Sequence, residues 1–160
     1  MTEMHAAQDE PRSIDQQRRR RWMGLFARAP LPLLERMWNG LGDKPAYDYL
    51  RRPEAGLAMV RGRVCGSGGP FNLGEITLSR CVVRLDDGTV GYGYTSDRNP
   101  RHAELAALFD ALLQQPGRRN RLESVLVTPV ARELNERLRR RAARAGATRV
   151  EFFTLVRGDD

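Results

Sequence analysis

The 160-residue chain is short of the side chains from which most solitary active sites are built. It has two cysteines (Cys65, Cys81), two histidines (His5, His102) and one lysine, Lys44. Two cysteines do not make a disulfide scaffold, and without a C-x-x-C or Cys/His cluster they offer no zinc site. They read as free, partly buried thiols. His5 falls in a polar leader, so a multi-histidine metal site is not expected. No apolar run approaches the roughly 18 residues of a membrane span. The opening stretch, MTEMHAAQDEPRS, has no apolar core behind a basic start, so it is not read as a secretion signal. The expected compartment is the cytoplasm.

What the chain has is arginine. Lys44 is the one lysine among 27 basic residues, and the net charge is +7 with a pI near 10.4. Guanidinium forks suit phosphate and carboxylate, so an acidic partner is expected: nucleic acid, a polyphosphate or an acidic protein surface. Hydrophobic residues at 41% and charged residues at 29% describe one ordinary globular domain.

Residues 1–15 read as a disordered tail and 16–160 as a single domain. QQRRRRWMGLFARA places Trp22, Leu25, Phe26 and Ala29 at helical spacing. Pro30 and Pro32 interrupt it, and a second helix over about 32–41 comes next. The pair is expected to form a helical hairpin with a basic outer face. YDYLRR, GLAMVRGRV, EITLSRCVVRL, TVGYGYT and the late TRVEFFTLVRG read as strands. Asp87–Gly88 signals a two-residue type I′ hairpin turn, and Tyr92 and Tyr94 read as core. A helix capped by Asn99 ends at Pro116–Gly117, and another opens at Thr128–Pro129 and ends at Gly146. RLESVLVTP is ambiguous between strand and helix. The fold class is therefore α+β: a mostly antiparallel sheet of about five strands, an N-terminal helical hairpin and two later helices.

RGRVCGSGGPFNLGE, residues 61–75, has the glycines of a phosphate loop but not the rest of one. A P-loop needs G-K-[ST] at its end, and no lysine is near; a dinucleotide fingerprint needs a glycine where Phe71 stands. The next segment is strand-like, so no helix N-terminus faces an anion. The stretch reads as a wide turn between strands.

Arg80 shares a strand face with Ile76, Leu78, Val82 and Arg84. It interrupts an apolar row, so a half-buried guanidinium needs a carboxylate of the chain, one of another subunit, or a ligand phosphate. Arg157 raises the same question beside Phe153 and Leu155. His102, at the third position of its helix, reads as a capping or core-edge histidine, with a general base as the alternative, and Glu104 cannot face it within that helix. No triad or metal cluster is placed by the sequence. The runs Arg18–Arg21 and Arg137–Arg144 leave a basic nucleic-acid-binding module as the alternative function, although nucleic acid is disfavoured.

Three separated motifs, RGRVCGSGGPFNLGEITLSRCVVRLDDGTVGYGY, RHAELAALFDALLQ and RVEFFTLVRGD, resemble the PhnG subunit of bacterial carbon–phosphorus lyase systems, from about Trp22 to the C-terminus. The arginine-rich leader before Trp22 is longer than the family pattern. The resemblance implies phosphonate catabolism in a complex with PhnI, PhnH and PhnL. That complex exchanges the base of ATP or GTP for an alkylphosphonate, giving an α-D-ribose 1-alkylphosphonate 5-triphosphate. It further implies a core assembly with PhnH, PhnI and PhnJ, two copies each, and an enzyme only as part of that transferase. No cofactor or metal is expected on this chain; ATP or GTP is a substrate of the complex. No established catalytic residue carries over with the resemblance. The candidates among the matching residues are Arg80, Arg84 and Arg157 for phosphate or partner contact and Phe152, Phe153 and Thr154 for a partner interface, while the catalytic residues stay unknown with His102 and Glu104 as candidates.

Overall fold

A computed structural model describes residues 13–63, 66 and 68–147 of the chain. Among these, three strands form one antiparallel sheet in the order β1 (Tyr47–Arg63), β2 (Pro70–Leu85), β3 (Val90–Thr95). Helices α1 (Ile14–Phe26) and α2 (Leu31–Gly40) precede it, and α3 (Pro100–Gln114), α4 (Pro116–Leu122) and α5 (Thr128–Ala147) come after.

Three strands replace the expected five for two reasons. YDYLRR and GLAMVRGRV are one strand, not two. Pro53 cannot donate to a ladder, but β1 is an edge strand, and its register shifts between Tyr49 and Arg51 and again between Arg51 and Glu54. Bulges absorb the proline instead of ending the strand. The expected last strand lies outside the described residues, as do Cys65, Phe152, Phe153, Thr154 and Arg157.

Helix α3 is the centre of the molecule. His102 to Leu113 are all buried. The sheet covers one side, and α1, α2 and α4 also pack against it. An all-round apolar helix belongs in a core, and each fully buried Leu or Phe here contributes about 1.5–3 kcal/mol. Phe109 meets Phe26 at 5.2 Å and Trp38 at 6.2 Å between ring centroids. Both N-terminal helices form, but α3 rather than a mutual hairpin contact is what seats them. Helix α1 begins at Ile14, inside the stretch read as a tail. A capping box starts it: Gln16 N–H donates to Ser13 Oγ at 3.2 Å, and Ser13 N–H to Gln16 Oε1 at 3.0 Å. Asn99 caps α3 as expected, accepting from Arg101 N–H at 3.1 Å.

The sheet packs on α3 through Cys81, Val83, Leu85, Gly91 and Gly93. Alternation then turns Arg80, Arg84, Tyr92 and Tyr94 to the opposite, open face. Tyr92 and Tyr94 are 41% and 51% exposed, so they are not core. The glycines form the inward row, because the helix comes too close for any side chain. The β2–β3 turn is also not a two-residue one. Gly88 N–H donates to Leu85 O at 2.9 Å with Gly88 at φ 85°, so Asp86 and Asp87 are central and the glycine takes the left-handed position.

RLESVLVTP is helical. A π-helical segment, Glu123–Val127, joins α4 to α5, so Thr128–Pro129 does not open a new helix. Thr128 N–H reaches back to Glu123 O. Pro129 lacks an N–H and its ring crowds the preceding turn, and the widened π-turn lets the helix run through it.

Beyond Ser79, β3 no longer flanks β2. The β1–β2 hairpin continues alone as a ribbon of eight residue pairs, roughly 26 Å at strand rise. Most of the stretch read as a wide turn is strand: Arg61, Gly62 and Arg63 pair with Asn72, Phe71 and Pro70, leaving only residues 64–69 between the strands. Leu57 and Met59 lie on one face of this arm and Ile76 on the other. Leu57 is 62% exposed and Leu73, at a register shift, 66%.

Candidate functional site

Among the described residues, those singled out in the sequence do not converge. They are divided among the α3 N-terminus, the inner sheet face and the open sheet face.

At the α3 N-terminus, the His102 ring is held at both nitrogens. Nδ1 lies 2.5 Å from Asp97 Oδ2, and Nε2 donates to the Phe26 carbonyl at 2.8 Å. The ring ties the β3–α3 turn to the end of α1. Asp97 also accepts from Thr95 Oγ1 at 2.9 Å and Asn99 N–H at 3.0 Å. Burial would raise its carboxyl, but these donors and His102 outweigh burial and hold it below the usual range.

Glu104 points the other way, into the sheet. It accepts from Tyr47 Oη at 2.9 Å, from Tyr49 Oη, and from Arg101 Nη1 at 2.7 Å. Burial pushes this carboxyl up, but Tyr49, Arg101 and Tyr47 together pull it below its ordinary value. Burial and then the Glu104 carboxylate push the Tyr49 phenol up. The arrangement holds a fixed negative charge beneath β1 and is not poised to release protons. A carboxyl with a depressed folded pKa stabilises the fold above its unfolded value, 4.5, and loses that contribution as pH falls through the folded value. Glu104→Gln should therefore lower the thermal midpoint at neutral pH and flatten its fall below about pH 4.5. A series of midpoints between neutrality and pH 3 checks this; an acid limb as steep as the wild type's contradicts it.

On the open face, Arg80 finds its acceptor within the chain. Its Nε donates to Glu54 Oε1 at 2.7 Å, and Arg51 Nη1 donates to the same oxygen at 2.7 Å. Arg51 and then Arg80 hold the Glu54 carboxyl below its usual range. The Arg80 side chain is 44% exposed on a face that no described element covers, and its acceptor is an internal carboxylate, one of the three the apolar row allowed. Arg84 stands 3.8 Å from Asp48, a loose pair. Exposed pairs of this kind add little stability.

Reading the sequence alone misses Asp97, Tyr47, Tyr49 and, above all, Asp110. Asp110 is wholly buried and accepts from Arg19 Nε at 3.0 Å, Arg19 Nη2 at 2.7 Å, Trp22 Nε1 at 2.9 Å and Tyr92 N–H at 2.9 Å. One member of the Arg18–Arg21 run is thus turned inward, with its guanidinium 5.6 Å from the Tyr92 ring centroid. The Cys81 thiol is buried, and burial followed by the Glu104 charge pushes it up to about 12, so it is inert. Among the described residues, no group of three or more His, Cys, Asp or Glu could hold a metal ion. None of the described helices is long and apolar enough to cross a membrane.

Among the described residues, the molecule thus has a core fixed by buried carboxylates, an open arginine and tyrosine face, and an uncovered arm. The PhnG phosphonate metabolism protein family matches residues 17–158. The PhnG subunit of alpha-D-ribose 1-methylphosphonate 5-triphosphate synthase from Rhizobium meliloti (strain 1021) is 49% identical over 142 residues, 89% of this chain and 90% of that protein. With a match that runs from α1 through the sheet and the central helix, the chain belongs to the PhnG family of phosphonate metabolism proteins.

Proposed function

We propose that this chain is a non-autonomous subunit of an alpha-D-ribose 1-methylphosphonate 5-triphosphate synthase in the cytoplasm. It works with PhnI, PhnH and PhnL to place an alkylphosphonate on the ribose of ATP or GTP as the base leaves. It also joins a core assembly with PhnH, PhnI and PhnJ, two copies of each. PhnI carries the bond-making chemistry, and this chain completes its surroundings.

The arm is the observation that carries this reading. A two-stranded ribbon is marginal in water by itself. Among the described residues, this one exposes Leu57, Met59, Leu73 and Ile76 and leaves the β1 edge unpaired, a combination that natural monomers avoid. A partner that clasps both faces explains it. Arg80 and Arg84, on the adjoining open face, are the contacts proposed for an acidic partner surface or a substrate phosphate.

Leu57→Glu with Leu73→Glu tests the assignment. Both side chains are exposed, so folding stability should change by no more than about 0.5 kcal/mol per site. Co-purification with PhnI should be lost. Normal co-purification of the double variant, or a wild-type chain that remains a monomer beside PhnI, would overturn the assignment.

A further inference from the structure

A cleft of about 570 Å³ opens between the α1–α2 turn, the β3–α3 turn and α5. Its size is that of a small-molecule site. Three guanidiniums line it from two elements: Arg28, and Arg137 and Arg141 one turn apart on α5. Arg28 uses Nε to reach Gly24 O at 2.7 Å, and Arg137 uses Nε to reach Glu133 at 3.1 Å. Arg141 forms no ion pair among the described residues. The carboxylate in the wall is Asp97, and His102, Thr95 and Asn99 N–H already engage it. Leu31, Leu134 and Leu138 supply an apolar side. Positive charge exceeds what the wall neutralises, and guanidinium forks match the oxygens of a phosphorus oxyanion.

We infer that this cleft binds a phosphorus oxyanion, with Arg28, Arg137 and Arg141 as its ligands. The inference rests on the synthase reading, which supplies two sources of that chemistry: the phosphonate and the triphosphate end of the ribose substrate. The apolar side accommodates the carbon-bearing part of either molecule.

The test is calorimetric titration of the full-length chain, purified with its partner subunits, against methylphosphonate, tripolyphosphate and sulfate. One of the two phosphorus compounds should bind more tightly than sulfate, and which one does identifies the source. Arg137→Glu with Arg141→Glu, on the exposed part of α5, should weaken that binding at least about tenfold. Arg28→Gln, on a separate element, should weaken it in the same direction and decides the matter if the α5 variant misfolds by circular dichroism. Binding unchanged in the folded variants overturns the inference, as does equal binding of sulfate or no binding of either phosphorus compound. Co-purification with PhnI, read on the same preparations, judges the subunit assignment separately.

Discussion

Gly93→Ala should yield no folded protein. A Cβ built on Gly93 would lie 1.9 Å from the Ala103 carbonyl oxygen, 2.8 Å from Ala107 N and 2.9 Å from Ala103 C. These are backbone atoms of α3, so no side chain can swing aside. The helix cannot retreat either, because α1 and α2 press on it from its other sides. Ordinary overpacking costs about 1–3 kcal/mol where neighbours can shift. A carbon placed on rigid backbone at this range should exceed that and consume much of the roughly 5–15 kcal/mol that keeps a domain folded. Gly91→Ala meets Ala107 O at 2.1 Å and should behave alike. Gly56→Ala has nothing within 4 Å of the added carbon and is the control. It should fold and be as stable as the parent or slightly more so, since alanine restricts the unfolded chain. Soluble yield and far-ultraviolet circular dichroism of the three variants decide it. A cooperative thermal transition of Gly93→Ala near that of the parent would refute the account.

Asp110→Ala should cost about 3–5 kcal/mol, the range for breaking a buried ion pair by removing one partner. Arg19 and Trp22 of α1 and Tyr92 of β3 donate four hydrogen bonds to this carboxylate. Without it, the Trp22 indole N–H and the Tyr92 amide are left unmatched beside the core. Arg19, whose side chain is 32% exposed, can partly rehydrate, which favours the lower end of the range. Denaturant unfolding measures the loss. A double-mutant cycle of Asp110→Asn with Arg19→Met should show a coupling of about 1–3 kcal/mol. A loss under about 1 kcal/mol for Asp110→Ala would mean the network is ornamental.

Much of this architecture can be read from spacing, and the failures have physical causes. The Asn99 cap and the apolar stripe of α3 place that helix correctly, because capping and periodicity are local. Period-two alternation in TVGYGYT correctly gives two rows, but alternation does not say which row is inside. Size argues for tyrosine in the core, whereas helix proximity selects glycine. Pro53 and Pro129 look like breaks in the sequence, yet an edge bulge and a π-turn carry the chain through both. Arg80 does need an acceptor, and Glu54 comes from a neighbouring strand 26 residues away, which no local pattern reveals. Asp110 has a usable signal: in a helix as apolar all round as ALFDALLQ, a lone acid has no watery side to take.

The uncovered ribbon also bears on how the cell must make this protein. Among the described residues nothing covers its greasy rim, a hazard from the moment it leaves the ribosome, and on the proposed subunit reading a companion polypeptide ends that exposure. Surplus copies would therefore cling to one another and precipitate, whereas a shortage would merely slow assembly, so synthesis matched in amount and place to that companion is built into the shape of the chain.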